Sequence, residues 1–270
     1  MSTSTGISLT PAPYWPNVYT TGVPIGTTLT VAGSNTINAP GTYDSLDFTG
    51  FVTIAASNVT LTNSRIRAIA SDPWSLEVNG TQTNVLVKNV TIIGASNATT
   101  TGGATYGFYV SGNSGATFDA CNISHVGQNA INNGNVLVKN CYIHELISDP
   151  TSHYECIYYG GAGGANPSFS LDLEHNTFMN ANNQTASVYI ENFFGVVNNV
   201  TVNNNLIIGG DFSIYVEGNQ NPNNITNVTV TNNAMGAGIF GYTHYDQAIA
   251  PVYQVIHTNN YDWITGVAIP

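Results

Sequence analysis

Asn199-Val-Thr-Val-Asn-Asn-Asn-Leu-Ile207 decides the fold, because near copies of this stretch recur along the chain. In an extended backbone Val200 and Val202 fall on one face and Thr201 on the other, after which an asparagine corner leads into a second apolar pair. Copies begin at Asn58 (NVTLTNSRI), Asn84 (NVLVKNVTI), Gly115 (GATFDACNI), Asn135 (NVLVKNCYI), Ser170 (SLDLEHNTF) and Asn227 (NVTVTNNAM). Their starts lie 20 to 35 residues apart. One copy cannot bury its own apolar face. Stacked copies can, and a spacing of this order is a solenoid period.

Position seven of the repeat runs Ser64, Val90, Cys121, Cys141, Asn176, Asn205, Asn233. An asparagine repeated at one corner is expected to hydrogen-bond the backbone there and its own copy in the next coil, satisfying polar groups that a tight buried bend would strand. Helical spacing and leucine signatures are absent, and propeller blades need longer repeats. The pattern resembles the right-handed parallel β-helix of the pectate-lyase-like superfamily, over roughly residues 28 to 265. The expected fold is therefore all-β, a single-stranded right-handed parallel β-helix over residues 28–270 preceded by an extended arm or cap over residues 1–27. That lead holds Pro11, Pro13, Pro16 and Pro24 beside Tyr14, Trp15 and Tyr19, and is expected to cover the open strand edge of the first rung. Early rungs are expected at Thr28–Ile37, Tyr43–Phe48 and Phe51–Ala55, with loops at Ala95–Thr105 and Gly160–Pro167.

Composition fits one domain with a sizeable core: 270 residues, 42% hydrophobic and only 7% charged, suit a surface paved with Thr, Asn, Ser and Gly. The net charge of -11 and four basic residues, Arg65, Arg67, Lys88 and Lys139, argue against nucleic acid and anionic membranes. No apolar run approaches the roughly 20 residues of a membrane span, so membrane insertion is not expected. The first residues show no basic segment followed by an apolar core, which points away from a secretory signal. Cys121 and Cys141 share a repeat position; stacked core thiols are expected, with a bridge as the alternative.

A second strand family precedes the asparagine family in each coil: Ser75-Leu-Glu-Val-Asn79, Gly107-Phe-Tyr-Val-Ser111, Cys156-Ile-Tyr-Tyr-Gly160, Ser187-Val-Tyr-Ile-Glu191 and Ser213-Ile-Tyr-Val-Glu217. Strand parity sends Leu76, Phe108, Ile157, Val188 and Ile214 inward and leaves Glu77, Tyr109, Tyr158, Tyr189 and Tyr215 outward. Stacked in register, these form a tyrosine column with Glu191 and Glu217 one pleat further on, interrupted where Ala130-Ile-Asn-Asn133 supplies Asn132. Aromatic rings beside carboxylates suit sugars, since ring CH groups stack and hydroxyls find acceptors. Tyr109, Tyr158, Tyr189, Glu191, Tyr215 and Glu217 are the expected carbohydrate-binding residues. The plain alternative is that tyrosine suits a half-exposed β position and stacks on itself.

His153-Tyr-Glu-Cys-Ile157, Leu173-Glu-His-Asn-Thr-Phe178, the run from Gly209 to Tyr215 and Tyr261-Asp-Trp-Ile-Thr-Gly266 are similar to right-handed β-helix repeat proteins of actinobacteria and their bacteriophages. Those proteins show a His-x-Asp-Gly-Ile entry to a strand and a His-Asn-Thr-Ile coil. Here His153 and Glu155 match the histidine and acid, with Glu for Asp and Cys156 for glycine. Several are minor tail proteins, so the resemblance implies a virion component in a phage tail, contacting host cell-surface or cell-wall polysaccharide and other tail proteins. The residues leave oligomeric state open; phage β-helices often assemble as homotrimers.

The alternative is an extracellular polysaccharide-degrading enzyme, a glycoside hydrolase or lyase, with His153, Glu155 and Tyr158 as candidate catalytic residues. Lyases of this architecture pair an acidic calcium site with an Arg or Lys base, whereas no basic residue follows Lys139. The Asn-Thr-Asp, Gly-His-Gly and Arg-Ile-Lys motifs of polygalacturonase relatives are absent. A two-carboxylate glycosidase stays open through Glu155, Glu191, Glu217 and Asp211. His125, His144 and His175 follow coil positions and are expected to replace corner asparagines; no metal or cofactor is expected.

Overall fold

In a computed structural model, which describes residues 14–96, 106–131, 134–147, 154–160, 162–163, 169–193, 195–218, 225–246 and 254–270, the copies of the repeat lie directly over one another. Val200 pairs with Leu171 on one side and Val228 on the other, so no copy is slipped against the next. All regular elements among the described residues are strands, and all but one antiparallel pair lie in three parallel sheets of ten, nine and nine strands that the chain visits in fixed rotation. The architecture is a parallel β-helix solenoid. The first strands of the repeat, from Gly41–Asp44 through Val200–Asn203 to Val255–Thr258, build what we call the repeat sheet. The next strands of each coil, from Thr30–Val31 to Tyr261–Asp262, build the ten-stranded sheet. Those carrying the tyrosines, among them Tyr106–Val110, Ile157–Tyr159, Ala186–Glu191 and Phe212–Glu217, build the tyrosine sheet.

Asparagine makes the corners. Asn58, Asn84, Asn199 and Asn227 enter the repeat strands with φ between 52° and 57°, and Asn63, Asn89, Asn140, Asn204, Asn232 and Asn259 leave them with φ between 49° and 58°. This left-handed region strains most side chains, but asparagine tolerates it because its short amide bonds locally. The amides also chain along the axis: Asn84 donates to Asn58 at 2.9 Å, Asn89 to Asn63 at 3.1 Å and Asn227 to Asn199 at 3.3 Å. Such a corner divides the expected rung Tyr43–Phe48 at Ser45, φ 55°, into Gly41–Asp44 and Leu46–Thr49, which enter different sheets. Thr28–Ile37 likewise splits into Thr30–Val31 and Thr36–Ile37. The expected loop at Gly160–Pro167 contains a short strand, Ala162–Gly163, antiparallel to Gly195–Val196.

Behind the corners runs a second, buried ladder. Asn176 donates both its backbone N–H (2.8 Å) and its amide (2.9 Å) to Asn205 Oδ1; Asn205 does the same to Asn233, and Asn233 to Asn260. Earlier coils use smaller groups in that place: Cys121 N–H is 3.3 Å from Cys141 Sγ, and Leu46 N–H donates to Ser64 Oγ at 3.0 Å. All three cysteines are buried and free, so Cys121 and Cys141 stack as thiols. Inside the ladders one continuous core runs from Ile37 to Ile269. Each fully buried Val, Ile or Leu contributes about 1.5–3 kcal/mol to it.

Residues 14–23 lie across the outside of the ten-stranded sheet. Val23 N–H donates to Thr91 Oγ1 at 2.9 Å and Gly22 N–H to the Ala120 carbonyl at 2.8 Å, while Trp15 packs on Leu206 and Ala234. Tyr14 and Trp15 flank the His175 ring at 5.0 and 5.8 Å. Gly22 has φ 79°, and a Cβ there would sit 2.4 Å from Thr91 Oγ1, so this close approach requires glycine. This part of the lead covers coil flanks, and the first strand, Thr30–Val31, stays exposed. Residues 1–13 lie outside the described residues.

Candidate ligand-binding face

The tyrosine sheet brings its outward residues into one file. Register pairs Glu77 with Tyr109, Tyr109 with Ala130, Ala130 with Tyr158, Tyr158 with Tyr189, Tyr189 with Tyr215, and Tyr215 with His244. Leu76, Phe108, Ile157, Val188 and Ile214 are fully buried on the opposite side. The break in the column is therefore Ala130, and not Asn132, which lies outside the described residues. The short strand Ala130–Ile131 is two positions out from the frame that motif spacing suggested, because Ile131 takes the inward place between Val110 and Tyr159. Glu191 pairs with Glu217 in adjacent rungs.

These groups are tied to one another. Tyr158 hydroxyl donates to Glu191 Oε1, and Tyr189 hydroxyl reaches Glu191 Oε2 at 2.8 Å and Glu217 Oε2. One phenol proton cannot serve two carboxylates at once, so Tyr189 shares it across the rung boundary. Burial, then the bonds to Glu217 and Glu191, push the Tyr189 phenol far above its ordinary value; burial, then Glu191, does the same to Tyr158. Both phenols remain protonated donors. Tyr189 is only 7% exposed and braces the two acids, whereas Tyr109, Tyr158 and Tyr215 are half-buried and offer ring surface. Ring centroids stand 5.8 Å apart from Tyr158 to Tyr189 and 5.3 Å from Tyr189 to Tyr215.

Aromatic groups close both ends of the file, and motif reading missed them. Trp74 stacks on Tyr109 at 4.8 Å with Phe51 at its edge, 5.9 Å away. At the other end Phe212 lies 5.9 Å from Tyr215, 5.1 Å from His244 and 5.9 Å from Phe240, and Phe240 is 69% exposed. The signal was available in Gly241-Tyr-Thr-His-Tyr245, which continues the strand family with a histidine in the tyrosine place.

Comparison with family models, curated proteins and solved structures finds no match. Chemistry must therefore be read from the residues. Glu155 is fully buried, and burial pushes its carboxyl up to about 8, against which a hydrogen bond from Thr185 works; the charge of Glu191 adds to the rise. It is a neutral acid sealed beneath the face at neutral pH. Tyr158 as a lyase base would need an accessible phenolate, and its shift runs the other way. His153 lies outside the described residues. Asp211 sits half-buried at the start of Phe212–Glu217.

Of the three histidines expected to replace corner asparagines, one does so in the asparagine file. His175 has φ 52° in the asparagine file, with Nδ1 2.8 Å from Asn140 Oδ1 and Nε2 3.1 Å from the Tyr14 carbonyl. His125 has φ 57° and meets Ser124 Oγ at 3.1 Å, whereas His144 is not a corner residue: it ends the strand Tyr142–His144, stacks on the Tyr142 ring at 3.9 Å and meets Asn122 Oδ1 through Nε2 at 3.2 Å. Among the described residues no three His, Cys, Asp or Glu side chains gather as a metal site would require. The arrangement presents aromatic surface at two ends and fixed hydrogen-bond acceptors between them.

Proposed function

We propose that this chain is a right-handed β-helix that binds polysaccharide along its tyrosine sheet, acting as a component of a bacteriophage tail at the host cell surface. The observation that carries the reading is the braced file Tyr158–Glu191–Tyr189–Glu217–Tyr215, flanked by Tyr109–Trp74 and by Phe212, Phe240 and His244. Rings stack on the apolar faces of sugars, while carboxylates whose positions are already fixed accept sugar hydroxyls at little entropic cost. Contact with neighbouring tail proteins and homotrimer assembly belong to the same proposal. The tail assignment rests on the sequence resemblance around His153–Ile157 and Leu173–Phe178.

Binding is favoured over turnover because the phenols are held as protonated donors and Glu155 is walled off from solvent. The test is a glycan array followed by titration of the hits with Tyr158→Ala/Tyr215→Ala protein. Loss of two stacking rings at about 1 kcal/mol each weakens affinity roughly thirtyfold. Unchanged affinity in the double variant removes the face from the reading. New reducing ends or unsaturated products with wild-type protein replace it with the hydrolase or lyase alternative.

A further inference from the structure

All lysine and arginine side chains of this protein are engaged away from the tyrosine sheet. The chain has four Lys and Arg residues. Arg65 and Arg67 both pair with Asp47, at 2.7 and 2.9 Å, on the ten-stranded sheet. Lys88 and Lys139 stand on either side of Asp119, at 3.8 and 3.9 Å, on the repeat sheet. The tyrosine sheet instead carries Glu77, Glu191 and Glu217 in its strands, with Asp211 and Asp246 at strand ends. His244, at the end of the file and 4.8 Å from the Tyr215 ring, is the imidazole of this face among the described residues.

From this distribution we infer that the ligand of the tyrosine sheet is a glycan without acidic groups, and that uronate-, sulfate- or phosphate-bearing chains are refused. The inference rests on the glycan-binding reading above and narrows it. A sugar hydroxyl laid against Glu191 or Glu217 donates to a carboxylate that Tyr158 and Tyr189 hold in place. A sugar carboxylate in the same place brings a like charge, with no arginine or lysine to pair it and a net charge of -11 behind it. Selection of this kind is rejection by repulsion, which discriminates partners that share ring shape.

The experiment compares wild-type binding of neutral gluco-, manno- and galacto-oligosaccharides of about six units with that of oligogalacturonate of the same length, at about 20 mM and about 500 mM salt. Expected is neutral binding with little salt dependence, and uronate binding at least about tenfold weaker at low salt, the gap closing as salt screens the repulsion. Glu191→Gln/Glu217→Gln protein narrows the gap at low salt. Uronate bound as tightly as, or more tightly than, the best neutral glycan overturns the inference and leaves the glycan-binding reading standing. A gap that responds neither to salt nor to the double variant overturns the electrostatic assignment. No binding of either kind overturns the glycan-binding reading itself.

Discussion

Replacing Asn205 by alanine removes the middle of the buried ladder, and the structure says what is stranded. Asn205 Oδ1 accepts the backbone N–H of Asn176 at 2.8 Å and its amide at 2.9 Å, and Asn205 Nδ2 donates to the Leu173 carbonyl at 2.9 Å. The Asn176 amide keeps a second acceptor in the Val138 carbonyl at 2.8 Å, so its loss is partial. The backbone N–H of Asn176 loses its acceptor and the Leu173 carbonyl a donor, in a place where Asn205 has no solvent access. A buried orphan costs about 1–3 kcal/mol, and the Asn176 N–H alone puts Asn205→Ala in that range. Asn205→Ser is the internal control, since Ser64 in the same repeat position accepts the Leu46 N–H at 3.0 Å. It should lose about half as much. Urea titration followed by far-ultraviolet dichroism, with hydrogen exchange at Asn176, reads both variants. A loss under about 1 kcal/mol for Asn205→Ala, or serine no better than alanine, would refute the view that the ladder stabilises the fold through orphaned backbone groups.

Glu155→Gln keeps the shape of a buried neutral acid. Between the ordinary glutamate value of 4.5 and about 8 the folded protein holds a proton at Glu155 that the unfolded chain releases, so stability falls as pH rises through that window. In the variant that part of the slope vanishes in a melting-temperature series from pH 4 to 9; parallel wild-type and variant curves would disprove the burial argument. Tyr159 is fully buried and its hydroxyl has no hydrogen-bond partner among the described residues, so Tyr159→Phe should raise stability by about 1 kcal/mol, and a comparable loss in calorimetry would contradict this. Tyr189→Phe removes the hydroxyl that stands between Glu191 and Glu217 and donates to one of them at a time, and leaves the two acids facing each other in adjacent rungs. It should cost about 1–2 kcal/mol at pH 7 and less at high salt, and a salt-independent loss would point to packing instead.

The solenoid was legible because period-two apolar residues and a recurrent corner leave few ways to bury one face. The coil register, the inward file from Leu76 to Ile214 and the position-seven ladder all follow from it. Corner geometry was only half legible: the asparagine corner was read within the repeat, yet at Ser45 the same left-handed backbone divides what looked like one strand, Tyr43–Phe48, into two with no asparagine to mark it. In the site, parity placed Tyr109, Tyr158, Tyr189 and Tyr215 in one file, but burial within that file depends on side chains in neighbouring coils, tens of residues away in sequence. The 7% exposure of Tyr189 comes from groups in adjacent rungs, and no spacing rule reports it. Phe51, Phe212 and Phe240 lie at strand ends, where alternation gives no direction for a side chain.

In a stack of coils each layer holds only the layers next to it, so melting can begin at one end and travel without disturbing the other. Residues 14–23 alter that arithmetic. By touching Thr91, Ala120, Asn122, His175, Leu206 and Ala234 in turn, this stretch joins layers that are otherwise strangers. Peeling it away loosens the whole middle at once, which turns a zipper into something closer to a single lock.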